Sequence, residues 1–178
     1  MKSITLTASK DDYISEFNPT QNFFGENDDA LFVSQYKIPG DAFRTLLQFE
    51  LKNPLLPSNA AIKRAYLLLS IYRNEIPSGV ITGKIYRLLN SWDKHTVTWN
   101  NQPSCSVVPD QTFILPTQWT GLMIIDISTL TRSWIDGSIP NNGLVIIGDE
   151  NNNRVVGFRN NRFSDVESRP KLVMDVGQ

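Results

Sequence analysis

The sequence predicts an all-β fold, an antiparallel β-sandwich or jelly roll with one short α-helix near residues 128–136. Short apolar stretches recur at roughly even spacing, with Gly, Pro, Asn and Asp between them. Residues 44–51 alternate cleanly, with Leu47, Phe49 and Leu51 pointing one way and Gln48 and Glu50 the other. Between Trp92 and Pro103, a β-branched stretch leads to Trp99 and exits through Asn100 and Asn101.

Residues 4–7 alternate apolar and polar side chains and open the first strand. Tyr13 and Ile14 begin a second, and residues 30–33 form a third after the turn-like 25–29. The alternating 44–51 is the fourth. Residues 62–72 are the longest apolar stretch and read as a central strand buried on both faces. Residues 80–89 follow, with Ile81, Ile85 and Leu89 among their apolar positions. Thr96, Val97, Thr98 and Trp99 suit a short strand with Val97 and Trp99 on one face, and Asn100, Asn101 and Pro103 stop it. Trp92 reads as a loop aromatic folded back onto the core, and packing accounts for both tryptophans better than a sugar-stacking platform does. Residues 112–115 and 122–126 are further strands. In the helix, Ser128 is placed to cap, Leu130 and Trp134 share a face, and Gly137 terminates. Residues 143–147 and 154–158 read as a hairpin joined through 149–153, and residues 171–176 close the chain. With no linker, repeat or low-complexity segment, a single domain over residues 1–178 is expected.

The formal net charge is −1 and the pI about 5.8, with Lys and Arg scattered, so no basic field exists for nucleic acid or an acidic membrane surface. No apolar run approaches the length that inserts into a membrane. The residues after Met1 contain no apolar stretch of about 7–15 residues, so no signal peptide is recognised. Cys105 is the single cysteine and His95 the single histidine, so neither an intramolecular disulfide nor a defensible Cys–His or Ser-His-Asp set is present, and no enzyme is predicted. Cys105 reads as an inert loop thiol or a cross-link between neighbours.

The best candidate binding edge is the segment from Arg154 to Phe163. Arg154, Arg159 and Arg162 are suited to bidentate contact with carboxylates of an acidic polysaccharide, and Phe158 or Phe163 to stacking on a sugar. The alternative is a solvated strand and turn with core phenylalanines. No cofactor and no defined metal site are expected. Asp11-Asp12, Asp28-Asp29 and Asp149-Glu150 are oxygen-rich turns of the kind that carry Ca²⁺ in some jelly rolls, but none has the spacing of a defined loop.

Asp11-Asp12-Tyr13-Ile14, Asn22-Phe23-Phe24-Gly25, the strand from Arg44 to Leu51, Ile62-Lys63-Arg64-Ala65-Tyr66-Leu67 and the Trp92 to Pro103 run follow in that order. Asp126-Ile127-Ser128 through Trp134-Ile135-Asp136-Gly137, Asn142-Gly143-Leu144 and Arg169-Pro170-Lys171-Leu172 complete the series. The set resembles the DNRLRE domain, also called the disaggregatase-related repeat, and the related carbohydrate-binding module of alginate-degrading enzymes. Glu50 replaces the usual Asp of its strand. The resemblance implies a β-sandwich jelly roll, an extracellular or surface setting and no catalysis, with Arg44 and Arg169 in fixed ion pairs or backbone contacts.

Two functions are expected. The first is a non-catalytic structural or adhesive protein at a cell or spore surface, a self-assembling subunit of an appendage, layer or spore-type coat whose partners are copies of itself or another surface protein. Strand-like termini and unpaired sheet edges motivate it. The alternative is a carbohydrate-binding module recognising an acidic polysaccharide.

Overall fold

The computed structural model describes residues 2–26, 29–52, 54, 56 and 60–177. Among these, eleven strands and one α-helix follow in order: β1 (Lys2–Thr7), β2 (Lys10–Ser15), β3 (Ala30–Gln35), β4 (Ala42–Gln48), β5 (Ala61–Asn74), β6 (Val80–Arg87), β7 (Gln111–Pro116), β8 (Gly121–Asp126), α1 (Ser128–Ile135), β9 (Leu144–Ile147), β10 (Val156–Arg159) and β11 (Lys171–Gly177). All strand pairings are antiparallel, and the sheet curls into a sandwich. The expected fold class is what the chain adopts.

One layer is built on β5. Its residues 66–68 pair at once with β8 and with β11, so these neighbours lie on opposite edges. Further along β5, β10 takes the place of β11. β1 extends the layer beyond β11, and β3 beyond β10. The second layer runs β7–β6–β9–β4–β2. β3 joins the two layers. Residues 30–33 pair with β10, then Ser34 and Gln35 pair with β4. The change of partner occurs at Ser34, a buried residue with φ +74.

The core between the layers is made of alternate positions. On β5, Ile62, Ala65, Leu67, Leu69 and Ile71 are buried, while Tyr66, Leu68, Ser70 and Tyr72 remain half-buried on the outside. This corrects the expectation of a strand buried on both faces. A smaller cluster lies on the outside of the second layer, where Ile14, Leu46, Leu88, Trp92, Val97 and Val145 pack under the segment after β6. Trp92 is buried there and its Nε1 donates to the Asn142 carbonyl at 3.0 Å, as its expected return to the core requires.

Three further expectations are corrected. Residues 96–99 are turn and irregular backbone, not strand. The Thr96 and Val97 amides fold back to the Asp93 carbonyl at 3.1 and 2.9 Å, and no neighbouring strand is present to pair with them. Ser128 does not cap α1. Ile127 occupies the cap position, and Ser128 Oγ instead accepts from the Ala65 amide at 2.9 Å, tying the helix to β5. The predicted shared face of Leu130 and Trp134 is buried, and Gly137 follows the helix with φ +77 as a terminator should. Lastly, β9 and β10 are not a hairpin. β9 pairs with β4 and β6, β10 with β3 and β5, and residues 148–155 cross from one layer to the other.

Entry into β9 depends on Gly143, which has φ +87 and whose added Cβ would overlap the Leu47 carbonyl oxygen. Gly25 has φ +88 with open space around it. Gly143→Ala is therefore expected to lower the stability by about 2–4 kcal/mol through left-handed strain plus overlap. Gly25→Ala should lose only about 1–2 kcal/mol from the backbone term. Urea denaturation of the two variants measures the difference.

Candidate functional site

The segment singled out from the sequence divides between separate places. Arg154 lies on the crossing before β10, where its Nη1 donates to the Ser78 carbonyl at 3.3 Å and its Nε lies 3.6 Å from Asp149. Arg159 lies at the far end of β10, beyond the strand that Arg154 precedes. Phe158 is fully buried between Leu31 and Ile71 of the flanking strands, so the structure excludes it from contact with a ligand. Its position follows from alternation: Val156 and Phe158 face the core, Gly157 and Arg159 face outward.

Arg159 and Phe163 come together with a residue far away in sequence. The Arg159 guanidinium carbon lies 4.0 Å from the ring centre of Phe163 and 4.0 Å from that of Tyr72, an outward residue of β5. Each such contact stabilises by about 0.5–2 kcal/mol. Arg159 makes no hydrogen bond or ion pair among the described residues. Most other arginines are committed: Arg44 to Glu150 at 2.6 Å, Arg73 to Glu75 at 2.6 Å, Arg87 to Asp110 at 2.6 Å, and Arg169 to the Phe163 carbonyl at 2.7 Å. Stacking holds the Arg159 plane while leaving its N–H donors unspent.

The row continues across the strands. Gly157 lies beneath Tyr72 and Phe32: a Cβ there would sit 2.9 Å from Tyr72 Cε1 and 3.1 Å from Phe32 Cε1. The missing side chain is what lets both rings close over β10. Arg73 stands 5.8 Å from Phe32 and 5.0 Å from Tyr36, and Lys37 stands 4.8 Å from Tyr36. Hydrogen bonding to Lys37, then to Arg73, lowers the Tyr36 phenol below its ordinary range. The result is a half-exposed row in which rings alternate with cations, drawn from β3, β5, β10 and the turn after β10. Phe32, Tyr36, Tyr72 and Arg73 were not legible as site residues. Their signal is the outward register of β5 and β3, which has meaning only once β10 lies between them.

A second group forms where three turns meet. Arg162 stands 4.7 Å and Lys94 Nζ 4.8 Å from the ring centre of Phe24, and the His95 ring meets Phe24 edge-on at 4.4 Å. Asn22 stitches the Lys94 turn to its own turn and to β2: its Nδ2 donates to Val97 O at 2.8 Å, Lys94 O at 2.9 Å and Asp12 Oδ2 at 3.1 Å. The turn after β10 is anchored by the Asn161 amide, which donates to buried Asp11 at 2.5 Å. Burial pushes the Asp11 carboxyl up, against the lowering effect of the Asn161 amide and then of Arg162.

The carboxylates expected in oxygen-rich turns have protein partners, and Asp11-Asp12 lies in strand β2 rather than in a turn. Asp12 accepts from the Tyr13 amide at 2.9 Å as well as from Asn22, Asp149 from the Asn151 amide at 3.0 Å, and Glu150 from Arg44. Asp28 lies outside the described residues, and Asp29 is exposed with φ +49. No three His, Cys, Asp or Glu side chains gather at a metal-binding distance among the described residues. Cys105 bridges to Leu88, and burial pushes its thiol up.

Asn22→Ala removes the donor that joins its own turn to the 94–97 turn and to Asp12 of β2. A loss of about 2–3 kcal/mol is expected, since acceptors are left unpaired. Denaturation measures the loss, and faster amide exchange in residues 94–97 locates it.

The family model for carbohydrate-binding module family 96 matches residues 2–175. No curated protein matches the chain.

Proposed function

The chain belongs to carbohydrate-binding module family 96, and we propose that it binds an acidic polysaccharide on the row of rings and cations that crosses β3, β10 and β5. A carbohydrate-binding module is itself a non-catalytic domain, usually in an extracellular or surface-associated setting. Membership supports the binding expectation over the self-assembling subunit, which draws no support from it.

The observation that carries the reading is Arg159. Its guanidinium is held between Tyr72 and Phe163 and has no carboxylate of its own. A uronate carboxylate accepts two parallel N–H bonds from such a fork, shorter and stronger than neutral hydrogen bonds. Ring faces turned away from the guanidinium are suited to the apolar faces of sugars. Because the fork is already positioned, little side-chain freedom is lost on binding. Phe32 adds a further ring along the row, with Arg73, paired to Glu75, 5.8 Å from it.

Arg159→Ala is expected to weaken binding to polygalacturonate or alginate by about 10–100-fold, the worth of a charged hydrogen-bonded pair. Arg159→Lys should recover only part, because an ammonium cannot reproduce the fork. Affinity electrophoresis and calorimetry measure both. Carboxyl-reduced polymer should bind the unaltered protein about as weakly as the acidic polymer binds Arg159→Ala. Equal retention of both variants on the acidic polymer, or no binding to any of a panel of acidic and neutral polysaccharides, overturns the proposal.

A further inference from the structure

The turn after β10 carries a second cation stacked on a ring, one that differs from Arg159 in having a 3.8 Å ion pair with Asp11 through Nη1. Arg162, three residues on, is set on the Phe24 ring, and Lys94 is set on the same ring from another turn. From this geometry we infer that Lys94, His95 and Arg162, gathered around Phe24, form a second subsite for an oxyanion group, a carboxylate or sulfate ester, on the same glycan chain.

Hydrogen-bonding capacity is the first argument. Lys94 Nζ donates to nothing among the described residues. Arg162 Nη1 is buried and faces Asp11 Oδ1 at 3.8 Å, too long for a hydrogen bond. Its Nε and Nη2 also donate to nothing and are not among the buried unpaired atoms, so they remain accessible. Two cations share one ring with their donors unspent.

Rigidity is the second. Asn22 fastens the turn carrying Lys94 and His95 to β2 and to its own turn, and Asp11 fastens the turn carrying Arg162. The donors are presented by backbone that is already stitched.

The third argument is an unbalanced cost. The same turn holds Asn160 Nδ2 and Asn161 Oδ1 buried without partners. Unpaired buried polar atoms are expensive, and their concentration in one turn beside the cations marks a conformation held for something other than stability.

The inference rests on the glycan-binding reading above and extends it. Arg159 and Arg162 lie at the two ends of one short turn, so a glycan bearing repeated anions meets both subsites, whereas a single acidic sugar meets one. Once the first group is bound, the second contact is intramolecular, and affinity rises with chain length beyond the sum of units.

Calorimetry with uronate oligomers of increasing length, and with sulfated oligomers of neutral sugars at matched lengths, tests it. The unaltered protein should bind the longest oligomers of one series at least about tenfold more tightly than the disaccharide. Whichever series shows the rise identifies the anion. Lys94→Gln, a surface change, and Arg162→Gln should each flatten the rise, with their effect confined to oligomers long enough to span both subsites. Arg159→Ala should weaken binding at every length. A length dependence untouched by Lys94→Gln and Arg162→Gln, or no rise in either series, overturns the second subsite while leaving the first in place. Absence of binding to every oligomer overturns both.

Discussion

The architecture turns on the left-handed backbone of Ser34. A buried, non-glycine residue at φ +74 costs of the order of 1–2 kcal/mol. The cost is met locally, because Ser34 Oγ accepts from the Asp149 amide at 3.0 Å. Gly148 beside it leaves the room, since a Cβ there would overlap that hydroxyl. Through this kink β3 leaves β10 and joins β4, closing the two layers. The same contact pins the start of the 148–155 crossing. β10 therefore enters between β3 and β5, which is the arrangement that brings Arg159 to Tyr72.

Two arginines stacked on aromatic rings differ in their hydrogen-bond partners. Arg44 stands 4.5 Å from the Trp99 ring and has each of its three nitrogens engaged: Glu150 takes Nε at 2.6 Å and Nη2 at 3.0 Å, and Gln102 takes Nη1 at 2.9 Å. It locks the segment after β6 onto the second layer. Arg159 is stacked more closely and saturated by nothing. What separates these two arginines is a carboxylate within the fold, which Arg44 has in Glu150 and Arg159 lacks, and neither residue type nor ring contact reveals that difference by itself.

The turn segments are as ordered by hydrogen bonding as the strands. Asn22 and Asn101 each bond backbone groups of the 94–98 turn, Asn101 accepting from the Thr98 amide at 2.7 Å and donating to Thr96 O at 2.9 Å. Side-chain amides here replace a missing neighbouring strand. That replacement explains why the Trp92 to Pro103 run, with a β-branched stretch suited to a strand, is a turn that still buries Val97 and presents Trp99 to Arg44.

The sequence by itself determined the all-β class, the existence and approximate place of nearly every strand, the helix and its buried face, and the return of Trp92 to the core. These follow from periodicity and turn residues, which are local. It also pointed to the segment after Arg154, since guanidiniums and phenylalanines cluster there. Their surroundings came from the tertiary structure. Phe158 went to the core by the parity of a four-residue strand, and Arg154 to Asp149 by the crossing. Arg159 acquired Tyr72 from β5 only because the chain crosses after β9 and β10 joins the β5 layer, between β3 and β5, instead of pairing with β9. Strand partnership joins residues far apart in the chain, and no local pattern encodes which edge a strand will find.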